Sequence, residues 1–149
     1  MAEPFVPADF DVPVTFDGPG FRLEPLGAVH NERDHQAWMS SIDHIRTTPG
    51  MEGWDWPAPM TLEENLADME MHARHFTERA GFTYSVLDHD DVIGCVYIYP
   101  AKDGNGAQVR SWVRESRAEM DATVWKALSN WLDEEWPFRL VSYAPRSTT

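Results

Sequence analysis

The chain has 149 residues, with 25 acidic against 12 basic side chains, a formal net charge of -13 and a pI near 4.7. That length suits one domain with a proper core. The charge argues against nucleic acid or an anionic membrane as a partner, since both need a basic surface. A cationic substrate suits such a surface, and so does solubility alone. Cys95 is the one cysteine and stands in an apolar run, which leaves neither a disulfide framework nor a cysteine-pair metal site. The first ten residues lack the basic and apolar regions of a signal peptide, and no stretch reaches the length of a membrane span. The chain therefore reads as a soluble cytoplasmic protein.

Residues 1–20, rich in Pro and Asp, form an irregular arm with a short strand expected from Val12 to Phe16, and residues 21–149 form a single domain. Phe21 to Leu26 alternates as the first main strand, placed at an edge or strand end by Pro25. Trp38, Ile42 and Ile45 fall at helical spacing, predicting one helix from about Asn31 to Ile45 with Asn31 as its cap. His30, His35 and His44 sit on or beside it at no zinc-binding spacing and read as solvent-facing. The Gly- and Pro-rich stretch from Thr48 to Pro59 is a loop, and its Trp54-Asp55-Trp56 places two aromatics around a carboxylate. That grouping suits an ammonium; it equally suits a loop pinned to the core by its tryptophans.

Thr61-Leu62-Glu63-Glu64 is a capping box opening a second helix, with an apolar stripe of Leu62, Leu66, Met69, Ala73 and Phe76 and with Gly81 as its C-terminal stop. His72 and His75, three apart, bring their rings near one another without a third metal ligand. Phe82 to Leu87 and Val92 to Tyr99 form a hairpin across Asp88-His89-Asp90-Asp91, and Gly94 marks a bulge or a close backbone approach. Tyr84, Tyr97 and Tyr99 are candidates to reach a pocket on one sheet face. Val109 to Val113 alternates as a strand. From Asp121 to Trp136 the period turns helical, with Val124, Leu128, Trp131 and Leu132 on one face and Pro137 as the stop. Phe138 to Tyr143 is a last strand.

A helix that follows a strand offers its unsatisfied N–H groups to an anion. At that junction Trp112-Val113 followed by Arg117-Ala118-Glu119-Met120-Asp121-Ala122 resembles the acetyl-CoA loop of the GCN5-related N-acetyltransferases, in which Arg or Gln, two residues, Gly, one residue and Gly or Ala form the pattern. Arg117 and Ala122 match it. Met120 stands at the family's glycine, and the run from Val113 to Arg117 is one residue shorter. The resemblance implies that Trp112, Val113, Arg117, Ala118, Glu119, Met120 and Ala122 bind acetyl-CoA. It also implies that Trp54, Asp55 and Trp56 help form the acceptor pocket, and that the backbone near Val113 polarises the thioester. Glu119 and Asp121 either crowd the anion or oppose the helix macrodipole, and Arg110, Arg114 and Arg117 are candidates to restore positive charge. The strand before the loop offers Arg110, Ser111 and Trp112 and no acid, which leaves Glu24 or Asp55 as a water-relayed base.

The implied fold is an α/β (α+β) one: a mixed, mostly antiparallel sheet with helices on both faces. It covers Phe21 to Tyr143 and lacks the family's final helix and closing strand pair. Two functions follow, acyl-CoA-dependent acetylation of a small primary amine, or a non-catalytic domain of the same fold that binds a small ligand or a protein. A last strand left as a sheet edge favours homodimer formation.

Overall fold

The computed structural model describes residues 4–53 and 55–146. Among these are strands β1 (Phe16–Gly18), β2 (Phe21–Pro25), β3 (Phe82–Asp88), β4 (Asp91–Pro100), β5 (Ala107–Val113) and β6 (Val141–Tyr143). The helices are α1 (Asn31–Met39), α2 (Ile42–Arg46), α3 (Leu62–Glu78) and α4 (Met120–Glu135). The strands lie side by side in chain order in one sheet, antiparallel throughout except that β5 and β6 run parallel. A parallel pair needs a crossover, and α4 supplies it. Strand alternation then sorts the side chains. Leu23, Tyr84, Val96 and Val109 join the buried face of α4, whose Leu128 and Leu132 each stabilise the fold by roughly 2 kcal/mol. Leu87, Cys95 and Trp112 join Trp38, Ile45 and Met69 of the other helices. The expected layering, a mostly antiparallel sheet with helices on both faces, is what the structure shows.

Several local expectations are corrected. The helix expected from Asn31 to Ile45 is broken, with α1 ending at Met39 and α2 starting at Ile42. A serine pair causes this. Ser40 Oγ donates to the Ala37 carbonyl at 2.9 Å, an alternative to helical bonding that serine readily takes. Ser41 turns its hydroxyl to accept from the Glu115 N–H at 2.8 Å. Asn31 is not a cap, since a 3-10 turn, Ala28–His30, precedes α1 and Asn31 Nδ2 reaches the Leu62 carbonyl instead. His30 is buried, not solvent-facing, and pairs with Glu24 at 3.1 Å.

The capping box at Thr61 and Glu64 forms with bonds of 3.0 and 2.9 Å. The far end of α3 is closed not by Gly81 but by Arg79 in the left-handed region, at φ 62. Its guanidinium anchors to the Pro7 and Phe10 carbonyls, holding the N-terminal arm down. Gly81 has another reason to be glycine, because a Cβ there would stand 2.2 Å from the Tyr99 ring. The arm is irregular up to β1, which starts at Phe16 rather than Val12, yet Phe5, Val6 and Phe10 pack on the α4 side of the core. The last strand is also shorter than Phe138 to Tyr143, spanning Val141–Tyr143.

Gly94 satisfies both readings made of it. Val86 pairs with Gly94 while Leu87 pairs with Val92, so Ile93 is the extra residue of a bulge. A Cβ on Gly94 would lie 2.2 Å from the Trp112 carbonyl oxygen. The bulge frees the Ile93 carbonyl to accept from the Arg114 N–H at 2.7 Å, and so aims the chain as it leaves β5.

Candidate functional site

A cavity of about 360 Å³ opens between α1, α3 and the sheet. Its helix wall carries Asp34, Asn65, Asp68 and His72, and its sheet wall carries Tyr97, Tyr99, Gln108 and Arg110. Asp34 is only 5% exposed. A polar net holds it: Asn65 Nδ2 donates to Asp34 Oδ2 at 3.2 Å and to Asn31 Oδ1 at 2.8 Å, while Trp38 Nε1 donates to Asn65 Oδ1 at 3.1 Å. Burial pushes the Asp34 carboxyl up to about 6, against the opposing pull of the Asn65 hydrogen bond. Asp68 is also raised, by burial and then by Glu64.

The imidazole pair meets over one phenol. Nδ1 of His72 and of His75 lie 2.8 and 2.9 Å from the Tyr99 hydroxyl. A phenol has one proton, so it donates to one ring and accepts from the other. Burial, with His75 adding to it, brings His72 down to about 4, so that ring is neutral near pH 7. The apolar side of the cavity is aromatic. Trp56 lies 5.3 Å from Trp38, 5.9 Å from Trp112 and 6.4 Å from Tyr97, centroid to centroid. It lines the cavity and pins its loop at once.

The expected acceptor residues are thus only partly brought together. Trp56 lines the cavity, Asp55 points to solvent, and Trp54 lies outside the described residues. Of the three tyrosines, Tyr97 and Tyr99 reach the cavity, whereas Tyr84 faces α4 and donates to the Pro13 carbonyl at 2.6 Å. Glu24 is no free base, because His30 and then Arg22 hold its carboxyl below the usual range. The carboxylates of the cavity, Asp34 and Asp68, were missed by sequence reasoning. A signal existed: Asn31, Asp34 and Trp38 share one stripe of a helix, which places polar groups where apolar ones belong.

The second half of the site starts where β5 ends. Trp112 and Val113 are buried in the strand, and Trp112 Nε1 donates to the Tyr97 hydroxyl at 3.0 Å. A 3-10 turn, Glu115–Arg117, leads to Met120, the first residue of α4. The αL conformation that a family-type loop asks of this position is absent, since among the described residues only Arg79 and His89 carry positive φ without being glycine. Met120 instead packs against the core and over Gly20. The three arginines separate. Arg110 turns to the cavity and its Nε donates to the Gly50 carbonyl at 3.0 Å. Arg117 binds Asp88 at 2.8 Å and Glu119 at 3.3 Å.

Arg146 is the unforeseen participant. Only 7% exposed, it donates to Asp121 Oδ2 at 2.9 Å, to the Ser111 carbonyl at 2.7 Å and to the Ala144 carbonyl at 2.8 Å. Tyr143 completes the group, with its hydroxyl 2.6 Å from Ser111 Oγ. No periodic pattern marks residue 146.

Three observations bear on how these residues would receive the anionic end of a coenzyme A molecule. Among the described residues no side chain caps the first amides of α4, although the Asp121 N–H is taken by the Ala118 carbonyl at 3.2 Å. Among the described residues, Arg114 Nε is buried without a partner. Two of the carboxylates that would repel a phosphate are paired with arginines, Glu119 with Arg117 and one oxygen of Asp121 with Arg146, while Asp121 Oδ1 is buried without a partner among the described residues. Among the described residues, no group of His, Cys, Asp and Glu stands together in a metal-binding arrangement, and no helix is long and apolar enough to cross a membrane.

No protein-family model and no curated protein matches the sequence, but solved structures match the fold. The ribosomal-protein-S5-alanine acetyltransferase of Vibrio fischeri matches over 80% of this chain and 67% of its own, with 13% identity and a TM-score of 0.60. The acetyltransferase of Salmonella typhimurium that modifies the N-terminal serine of ribosomal protein L7/L12 matches over 80% and 66%, with 11% identity and a TM-score of 0.62. The microcin C7 self-immunity acetyltransferase MccE, solved with acetyl-CoA and AMP, matches over 80% and 63%, with 13% identity and a TM-score of 0.61. This chain spans about two thirds of the length of these neighbours.

Proposed function

We propose that this chain, whose fold is that of the GCN5-related N-acetyltransferases, transfers an acyl group from coenzyme A to a small primary amine bound in the cavity. The observation that carries this reading is the position of β5. Arg110 of that strand lines the cavity, while Trp112 and Val113 run on into the loop that opens α4. One strand thus borders both the acceptor cavity and that loop.

Trp112, Val113, Arg114 and the segment from Arg117 to Ala122 would hold the cofactor, which when bound supplies an activated acyl thioester. The chain's own work is on the amine. An ammonium entering the cavity meets Asp34 and Asp68, with the rings of Trp56 and Tyr97 beside it. Nitrogen attacks only as the free amine, so a proton must leave first. Asp34, raised to about 6, accepts a proton more readily than an ordinary aspartate, and it is held in place by Asn65. The apolar walls exclude water from the lone pair once it is formed.

The test is titration calorimetry with acetyl-CoA and CoA, followed by an acetyl-transfer assay over a panel of small amines. Micromolar cofactor binding, with turnover lost in Asp34→Asn, supports the reading. No heat and no thermal shift at millimolar cofactor would overturn it, and would leave a domain that binds a ligand without transforming it.

A further inference from the structure

We infer that the cavity takes a diammonium ligand, with one ammonium held at Asp34 and a second at Asp68, joined by a short apolar chain. This deepens the reading of the cavity as an amine site and rests on that part of it, not on cofactor binding. The two carboxylates share the helix wall of the cavity. Asp34 of α1 is fixed from α3, where Asn65 Nδ2 donates to its Oδ2 at 3.2 Å, and Asp68 follows Asn65 by three residues on the cavity face of α3. Three residues rise about 4.5 Å along a helix axis, a distance that a few methylenes span. Among the described residues neither carboxylate forms an ion pair. His35, next to Asp34 in the chain, spends its Nε2 proton on the Met60 carbonyl at 2.7 Å. Asp34 is thus 5% exposed with one amide donor and lacks the positive charge that a buried carboxylate calls for.

The electrostatics ask for two positive charges. Behind burial, Asp68 adds to the rise of the Asp34 carboxyl and Glu64 to that of Asp68, so the acids act on one another as like charges. A single ammonium at Asp34 leaves Asp68 anionic, with Glu64 one turn before it on α3. A second ammonium answers it. Arg110, a cation on the facing wall, is engaged with the Gly50 carbonyl at 3.0 Å and keeps both ammoniums on the α1 and α3 side. Trp56 and Met69 line the same cavity and suit the body of the ligand, the indole face by attracting ammonium groups and the thioether by packing on methylenes. About 360 Å³ is room for roughly a dozen waters at about 30 Å³ each, and so for such a chain. The net charge of -13 also draws a dication more strongly than a monocation.

Three probes of one chain length separate a second charge from mere length or polarity: 1,4-diaminobutane, butylamine and 4-aminobutan-1-ol. Each is titrated calorimetrically into the full chain at pH 7.5 without cofactor. The diamine should bind at least tenfold more tightly than either monoamine. Asp68→Asn should bring that ratio down to about two or less, and Asp34→Asn should weaken all three ligands. Glu70→Gln, which removes an exposed acid of α3 outside the cavity, should leave the ratio as it is, with thermal melts confirming that each variant folds. Equal affinity for the diamine and butylamine, a preference that survives Asp68→Asn or falls equally in Glu70→Gln, or binding of none of the three would overturn the inference. Acetyl-CoA titrated alongside reports separately on the proposed reaction. A protein that binds the cofactor without preferring the diamine refutes only the second ammonium, and one that prefers the diamine without binding the cofactor refutes only the transfer.

Discussion

Replacing Asp34 by Asn should stabilise the protein at neutral pH and leave its stability unchanged in acid. Asp34 is buried, and burial raises its carboxyl from the ordinary 3.8 to about 6. The native state therefore holds its proton more tightly than the unfolded chain. Between those two values the native state binds more protons, so stability is full below pH 3.8 and falls as pH rises through 6. A shift of about two units corresponds to about 3 kcal/mol of lost stability above pH 7. Asparagine cannot ionise, and its side-chain oxygen still accepts from Asn65 Nδ2 as Asp34 does at 3.2 Å. The variant should therefore gain about 3 kcal/mol at pH 7.5, or on the order of 10 °C in melting temperature for a chain of this size, and nothing at pH 3.5. Urea unfolding of both proteins at pH 3.5, 5.5 and 7.5 measures this. A variant less stable than its parent at pH 7.5, or a difference that does not change with pH, would refute the account of Asp34. Gain in stability with loss of turnover is the pattern of a site kept strained for its chemistry.

Three other substitutions probe the frame of the site. Gly94→Ala sets a Cβ 2.2 Å from the Trp112 carbonyl oxygen, and because backbone cannot step aside it should cost about 3 kcal/mol in denaturant unfolding. Arg146→Ala strips a buried cation from Asp121 and from the Ser111 carbonyl; a cost of about 3 kcal/mol is expected, and equal stability to the parent would show the contact to be idle. Met120→Gly should not tighten acetyl-CoA binding, because Met120 starts α4 without positive φ and packs on the core. It should lose about 2 kcal/mol from helix propensity and packing together, and tighter cofactor binding in calorimetry would contradict this.

The sheet was legible because its signals are local. Alternation marked β2 and β5, the turn residues marked the hairpin between β3 and β4, and a period of 3.6 marked α3 and α4. The candidate site was legible only where one residue type implies one role, as with Trp56. Asp55 looked like the acid of the cavity because it is adjacent in sequence to two tryptophans, but neighbours on an extended loop point apart, and Asp55 faces water. The acids that matter, Asp34 and Asp68, come from two helices packed side by side, a juxtaposition that no single stretch reveals. Arg117 matched a motif and proved to be held by Asp88, 29 residues away in the chain. Arg146 lies in no repeating pattern, and its partners Ser111 and Asp121 are visible only once β5, β6 and α4 are assembled.

The strict chain order of the six strands bears on how such a sheet is made. A strand leaving the ribosome finds its only earlier neighbour already in place, and no gap is left for a later segment to enter. At every stage of synthesis the exposed edge on the growing side belongs to the strand made last. Two steps are interrupted by helices, since α1 to α3 are made between β2 and β3 and α4 between β5 and β6. Between β5 and β6 the chain must first wind α4 and carry it across the sheet, and until Arg146 arrives the carbonyl of Ser111 waits for its donor. Pulse-labelling of ribosome-bound chains of increasing length would see β3 and β4 protected together and the edge of β5 protected last.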